Sequence, residues 1–300
     1  MPSDKYFTLL ASTPELCHLI SLPYLQRRRL LWKLDSRWPR FVYKYFGSNI
    51  CRDDGEDRLR DLVVKSRVWL ASPSSFNDPF DCQAQIEIPN NLSEIEKYMD
   101  DLWRRENPQL LWKKRRSMFN EIRKRPEGPR TYFYDLYQTT FKKRMAMVGV
   151  FSVSLLPRQL LMWSHYAAQH KGVCCIFESA RDLSTWGKVI SVDYRDDFPT
   201  ANFSENDPLQ YGNVLMRKST SWSYEKEHRI IAVNGANHYS RFEPSSLYGI
   251  ILGARLGTDS LDVVKLLLQE RDAAGLPKIE VFKASMNPKK YQLTLKRISI

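Results

Sequence analysis

Apolar positions along the chain recur at two spacings, and each change of spacing marks an element. Residues 14 to 38 carry them at helical intervals until Pro39 interrupts, which predicts one helix or two. Phe-Val-Tyr-Lys-Tyr-Phe at 41–46 is β-branched and aromatic between Pro39 and Gly47, the composition of a first core strand. Leu59, Leu62 and Val63 return to helical spacing, a short strand follows near Val68, and the run from Ser74 to Pro79 is rich in turn residues. Residues 83–88 alternate as a strand does. From 93 to 145 the pattern is helical, with Ser93 and Glu96 as a cap and interruptions at Pro108, Pro126 and Pro129. A strand is expected at 147–155, then a helix from Pro157 to about Lys171 with Gly172 as its C′ residue.

The remainder reads as strands at 173–178, 188–194, 228–233 and 247–253, an amphipathic helix ending near Gly275, and final strands at 279–284 and 291–300. Many strands with few helices between them predict an α+β fold around a mixed or mainly antiparallel sheet. Residues 1–300 read as a single α+β domain, with a helical N-terminal extension at 1–39 and a basic helical insertion at 93–145.

Composition narrows this picture. With 43% hydrophobic residues the chain has the apolar surface to fold, and no apolar run approaches the roughly 20 residues of a membrane helix. The opening MPSDKYFTLL lacks the basic stretch and apolar core of a secretory leader, so a cytoplasmic protein with no membrane segment is expected. Cysteines at 17, 51, 82, 174 and 175 show neither a metal spacing nor a disulfide framework, and Cys174 and Cys175 fall on opposite faces of a strand. The net charge is +12, and residues 101–145 hold thirteen Lys or Arg against five acids. The stretch 104–144 is therefore the expected contact for nucleic acid or an acidic macromolecule.

Candidate chemistry gathers in a few blocks. Trp163, Tyr166 and His170 share a face if 157–171 is one helix, and two aromatics with an imidazole suit a flat polar ring. His165 and His170 are five residues apart, a rotation of about 140° on a helix, so with Cys174 they make no zinc site and no metal is expected. Glu225 and Glu227, two apart at the mouth of an apolar strand, project to one face if both are extended. Paired carboxylates suit glycosyl transfer, where one opposes a developing cation and the other serves the nucleophile. Asn77 and Asp78 suit a turn, and Lys44 between Tyr43 and Tyr45 puts a cation where it can meet a phosphate.

Taken in order, the blocks 43–45, 74–81, 162–167, 170–173 and 222–229 resemble a bacterial family called domain of unknown function 2971, over roughly residues 40 to 255. That family name implies no activity. The Glu225-Lys226-Glu227 element before an apolar strand is similar to the Glu-x-Glu element of ADP-ribosyltransferases. That resemblance implies NAD as substrate, with Tyr43 and Lys44 in the first-strand role, Tyr166 in the middle and Glu227 as the late carboxylate. It further implies Glu225 as the acceptor-side carboxylate, and Trp163, His165 and Asn77 among the residues around the cofactor. The first strand offers Lys where the superfamily has Arg or His. The sequence thus points to transfer of ADP-ribose from NAD to a macromolecular acceptor. A nucleic-acid-binding module without NAD chemistry and a protein-interaction domain remain as alternatives.

Overall fold

The computed structural model describes residues 13–33, 38–47, 57–202 and 208–300. Where the sequence reads as one domain over 1–300, the folded chain gathers into two compact units. A sheet unit comprises Met1–Ser72, Val148–Val192 and Thr220–Ile300, and a helical unit comprises Pro73–Met147 and Asp193–Ser219.

The sheet unit is built on eight strands: β1 (Phe41–Phe46), β2 (Gly149–Ser154), β3 (Val173–Glu178), β4 (Ile190–Ser191), β5 (Glu227–Ala232), β6 (Leu247–Leu252), β7 (Glu280–Met286) and β8 (Leu293–Ile298). Their order is β8-β7-β6-β3-β1-β2-β5-β4. All neighbours are antiparallel except β6 and β7. The helix Thr258–Ala273 makes the crossover that this parallel pair needs, and it gives way to Gly275 at φ 68°, the left-handed position glycine favours.

The central strands are apolar on both faces because both are covered. Val42, Phe151, Cys175, Phe177 and Ile230 pack on one side with Leu59, Leu62, Val264 and Leu267 of two helices. Tyr45, Cys174, Ile176 and Ile251 pack on the other with Met162, Trp163 and Ala167. Cys174 and Cys175 thus divide between the faces, as strand alternation requires. The described part of the N-terminal extension forms helices Pro14–Ser21 and Tyr24–Lys33, and the extension before Thr13 lies outside the described residues.

In the helical unit, the basic insertion folds as helices Leu92–Glu106, Trp112–Arg123 and Gly128–Met147. Buried Ile95, Met99, Phe119, Phe133, Tyr137 and Phe141 form its interior. Its first cap is Asn91, whose side chain accepts from the amide of Ser93 at 2.9 Å, rather than Ser93 itself. Among the described residues no helix is long and apolar enough to cross a membrane.

Candidate functional site

Register across the sheet lines up one row of side chains. Tyr43 on β1 and Glu227 on β5 both pair with Ser154 on β2, so the three project from the same face, with Ile176 of β3 beside Tyr43. This is the face covered by the helix Leu160–Tyr166. Lys44, one residue on, belongs to the opposite face. Its ammonium donates to the Ser152 carbonyl at 2.9 Å and lies 4.7 Å from the centroid of Phe151. Period-two alternation therefore separates the two residues given one role in the sequence, and only Tyr43 is on the carboxylate face. Burial, with the thiol of Cys174 adding to it, pushes the Tyr43 phenol up to about 12 and keeps it a neutral donor.

The covering helix is shorter than its spacing predicts. It stops at Tyr166, and Ala168, Gln169 and His170 all take positive φ, at 44°, 57° and 69°. Amides of Gln169, His170 and Gly172 bond back to the carbonyls of Ser164, Trp163 and Ala167 at 3.1, 3.1 and 2.8 Å, which closes the turn. His170 reaches the Trp163 ring through this turn, stacking at 6.2 Å and 13°. Gly172 is not a helix cap. A Cβ there would overlap the Phe46 carbonyl, so glycine is required for close approach to β1.

Trp163 is 0% exposed. Its Nε1 donates to the Pro157 carbonyl at 2.9 Å and its ring meets Tyr45 edge-on at 5.2 Å. It is a core residue that holds the helix on the sheet and has no surface to give a ligand. Tyr166 instead turns to the carboxylates, donating from its hydroxyl to Glu225 Oε1 at 2.6 Å.

Glu225 and Glu227 do not share a strand. Glu225 ends the 3₁₀ helix Thr220–Glu225, Lys226 is left-handed at φ 44°, and Glu227 begins β5. Both are buried nonetheless. Ser154 fixes the backbone of Glu225 by donating to its carbonyl at 2.6 Å. Glu227 takes a two-pronged ion pair from Arg229, with Nε at 2.7 Å and Nη2 at 3.1 Å, and Arg229 is itself fully buried. Burying three ionisable groups costs several kcal/mol per ion unless geometry repays it, which is why such clusters gather where chemistry or specificity needs them. Beside them, the exposed ring of His165 lies 6.4 Å from both Trp222 and Tyr224 and 6.5 Å from Tyr166, an aromatic wall on the edge of the cluster.

Asn77 is exposed and belongs to the helical unit. The turn there is made by Asp78, whose carboxylate accepts from the Phe80 amide at 2.9 Å. Ser154 and Arg229 complete the centre; Arg229 belongs to the 222–229 block, whereas Ser154 leaves no local mark in the sequence, because strand register alone brings it to the carboxylates. Arg229 was legible as the residue two positions from Glu227 on one strand face.

Residues 162–230 match the family described as protein of unknown function, DUF2971. The likeness to that family is confined to this segment. The matched segment holds Trp163, His165, Tyr166, Glu225, Glu227 and Arg229, while Tyr43, Lys44 and Asn77 fall outside it. No curated protein and no solved structure matches the chain.

Proposed function

We propose that the Glu225–Tyr166 centre cleaves NAD at the nicotinamide bond and passes ADP-ribose to an acceptor. The observation that carries this reading is the buried pair of carboxylates, Glu225 on Tyr166 and Glu227 on Arg229, placed beside the aromatic group of His165, Trp222 and Tyr224. The aromatic rings suit the nicotinamide, and a carboxylate suits the ribose from which it departs. In the reaction the bond between ribose C1′ and the nicotinamide nitrogen breaks, and its electron pair leaves with nicotinamide. The oxocarbenium-like ribose is then captured by an acceptor heteroatom that loses its proton.

Both oxygens of Glu227 are engaged by Arg229, so Glu227 acts as a positioning residue and Glu225 opposes the developing cation. This reverses the roles that the resemblance alone assigns. Nicotinamide release and acceptor labelling, measured separately with cell extract as acceptor source, test the proposal. Glu225→Gln is expected to lower nicotinamide release by about 10²-fold or more, since a preorganised charge opposite the transition state is lost. Tyr166→Phe lowers it less. Glu227→Gln removes the carboxylate that Arg229 pairs with in a buried setting, so its circular dichroism must be checked before its rate is read. A wild-type protein that releases no nicotinamide, or a folded Glu225→Gln variant at the wild-type rate, overturns the reading.

A second reading, polyanion binding by the helical unit, is favoured by a specific observation. Lys113, Lys114 and Arg116 are exposed and make no ion pair among the described residues, and Arg116 lines a groove of about 290 Å³ with Trp103 and Trp112, a groove whose acids Glu96 and Asp100 are paired with Arg123 and Arg115. Free cations next to accessible indoles suit single-stranded nucleic acid, whose phosphates and bases they would engage together.

A further inference from the structure

We propose that a separate cleft in the sheet unit, bounded by Ser164, His170, Arg255, Lys289, Lys290 and Tyr291, binds a small nucleotide, its phosphates on the cations and its base on Tyr291. The cleft has a volume of about 640 Å³, within the range of about 300–1,000 Å³ typical of small-molecule sites. None of the carboxylate-centre residues lines it, so the proposal stands whether or not Glu225 acts on NAD.

Two loops and a hairpin tip build the walls. The loop after β6 is zipped to the left-handed turn by Gly253 N to Gly172 O and Arg255 N to His170 O, both at 2.9 Å. A Cβ at Gly253 would overlap the His170 carbonyl, so this approach needs glycine. Opposite, the tip between β7 and β8 is held by Asn287 N to Gln292 O and by Lys289 N to Asn287 Oδ1, again both at 2.9 Å. That turn carries Lys289, Lys290 and Tyr291. The backbone of both walls is thus organised while the charged side chains remain exposed.

Charge and shape decide the ligand class. Arg255, Lys289 and Lys290 engage no carboxylate among the described residues, and no residue lining the cleft is acidic. Three like charges around one concavity repel one another, and an anion relieves the repulsion. Phosphate alone does not use the rest of the cleft. Tyr291 is 100% exposed and Met286 is 74% exposed above a floor that includes buried Leu293, so an aromatic ring there covers apolar surface otherwise left in water. Ser164 Oγ, 3.4 Å from His170 Nε2, adds hydroxyl and imidazole groups for a ribose or phosphate oxygen. Burial, and then the charge of Arg255, holds His170 below its ordinary range, so at neutral pH it is an uncharged hydrogen-bonding group.

Titration calorimetry of the full chain with ADP, adenosine and pyrophosphate tests the site. ADP is expected to bind, with adenosine and pyrophosphate each weaker. The double variant Lys289→Glu, Lys290→Glu weakens ADP and pyrophosphate by about tenfold or more, as loss of charge-assisted bonds requires. Tyr291→Ala weakens ADP by about fivefold or more and leaves pyrophosphate unchanged, because only the base stacks. Both changes lie at exposed positions, and near-wild-type circular dichroism confirms that they report on binding. Absence of ADP binding at millimolar concentration overturns the proposal. So does ADP affinity that survives both the double variant and Arg255→Glu, and so does pyrophosphate binding as tight as ADP with no effect of Tyr291→Ala.

Discussion

His228 shows how one residue ties the centre to stability. It sits on β5 between Glu227 and Arg229 but points to the opposite face, buried, with Nδ1 3.3 Å from the Lys226 carbonyl. Burial lowers its pKa from 6.5, outweighing the upward pull of the Lys226 and Glu227 backbone and of the Glu227 charge. In the unfolded chain the imidazole keeps its ordinary affinity, so between the folded value and 6.5 the unfolded state binds more protons. Stability is therefore fully present above 6.5 and is lost as pH falls through the folded value. Urea unfolding at intervals from about pH 7.5 to 5, around the ordinary imidazole value, is expected to show that fall and a flatter curve for His228→Gln. His170 shifts in the same direction, so the single variant removes only part of the slope. Superimposable pH curves for the two proteins would rule out His228 as a source of it.

Among the elements, the left-handed turn after Leu160–Tyr166 is the one most at odds with its sequence. Ala168 and Gln169 have nothing in their chemistry that asks for positive φ, His170 tolerates it only somewhat better, and each such residue costs about 1–2 kcal/mol. Gln169 is exposed, so substitutions there read backbone strain with little packing effect. Gln169→Gly is expected to leave stability unchanged or raise it by up to about 1 kcal/mol, relief of strain being partly offset by the freer unfolded chain. Gln169→Val should cost more than 1 kcal/mol, about what a β-branched residue loses in this region. A thermal melt in which the two variants are equally stable would show that the turn is unstrained.

This turn also marks where the sequence stops being informative. Strands 41–46 and 173–178 were legible to the residue, because runs apolar on both faces and bounded by Pro or Gly have few other structures open to them. The helix after Pro157 was extended too far because the residues of the turn carry ordinary helical propensity, and the Gly172 that looked like a cap serves close packing instead. Alternation within one strand already separates Tyr43 from Lys44. The convergence of Ser154 with Glu227, or of His170 with Arg255 and Lys289, is made by register and loop pairing between distant segments and leaves no local mark.

At the scale of the whole molecule, the charge of +12 gives the chain a field that attracts polyanions, and its concentration in the helical unit says where they should land. Much of the basic stretch is neutralised internally: Arg115 pairs with Asp100, Arg123 with Glu96 and Lys124 with Glu121. Among the described residues Lys113, Lys114 and Arg116 are not, and they crowd the first turns of the helix Trp112–Arg123, where no acidic residue and no side-chain cap offsets the helix dipole. Cations at that end are unfavourable, by about 0.3–1 kcal/mol each, so the arrangement gains from a bound anion. Trp112, 56% exposed at the same end, would stack a base. Anisotropy of a labelled single-stranded RNA from low to physiological salt separates the two contributions. Reversing Lys113, Lys114 and Arg116 to Glu should weaken binding and make the slope of log affinity against log salt less negative by about 2, since each phosphate contact contributes about 0.7. Trp112→Ala should cost about 1–3 kcal/mol per stacked base while leaving the slope where it was. An unchanged slope in the triple variant would make the basic helix a solvated face with no polyanion to bind.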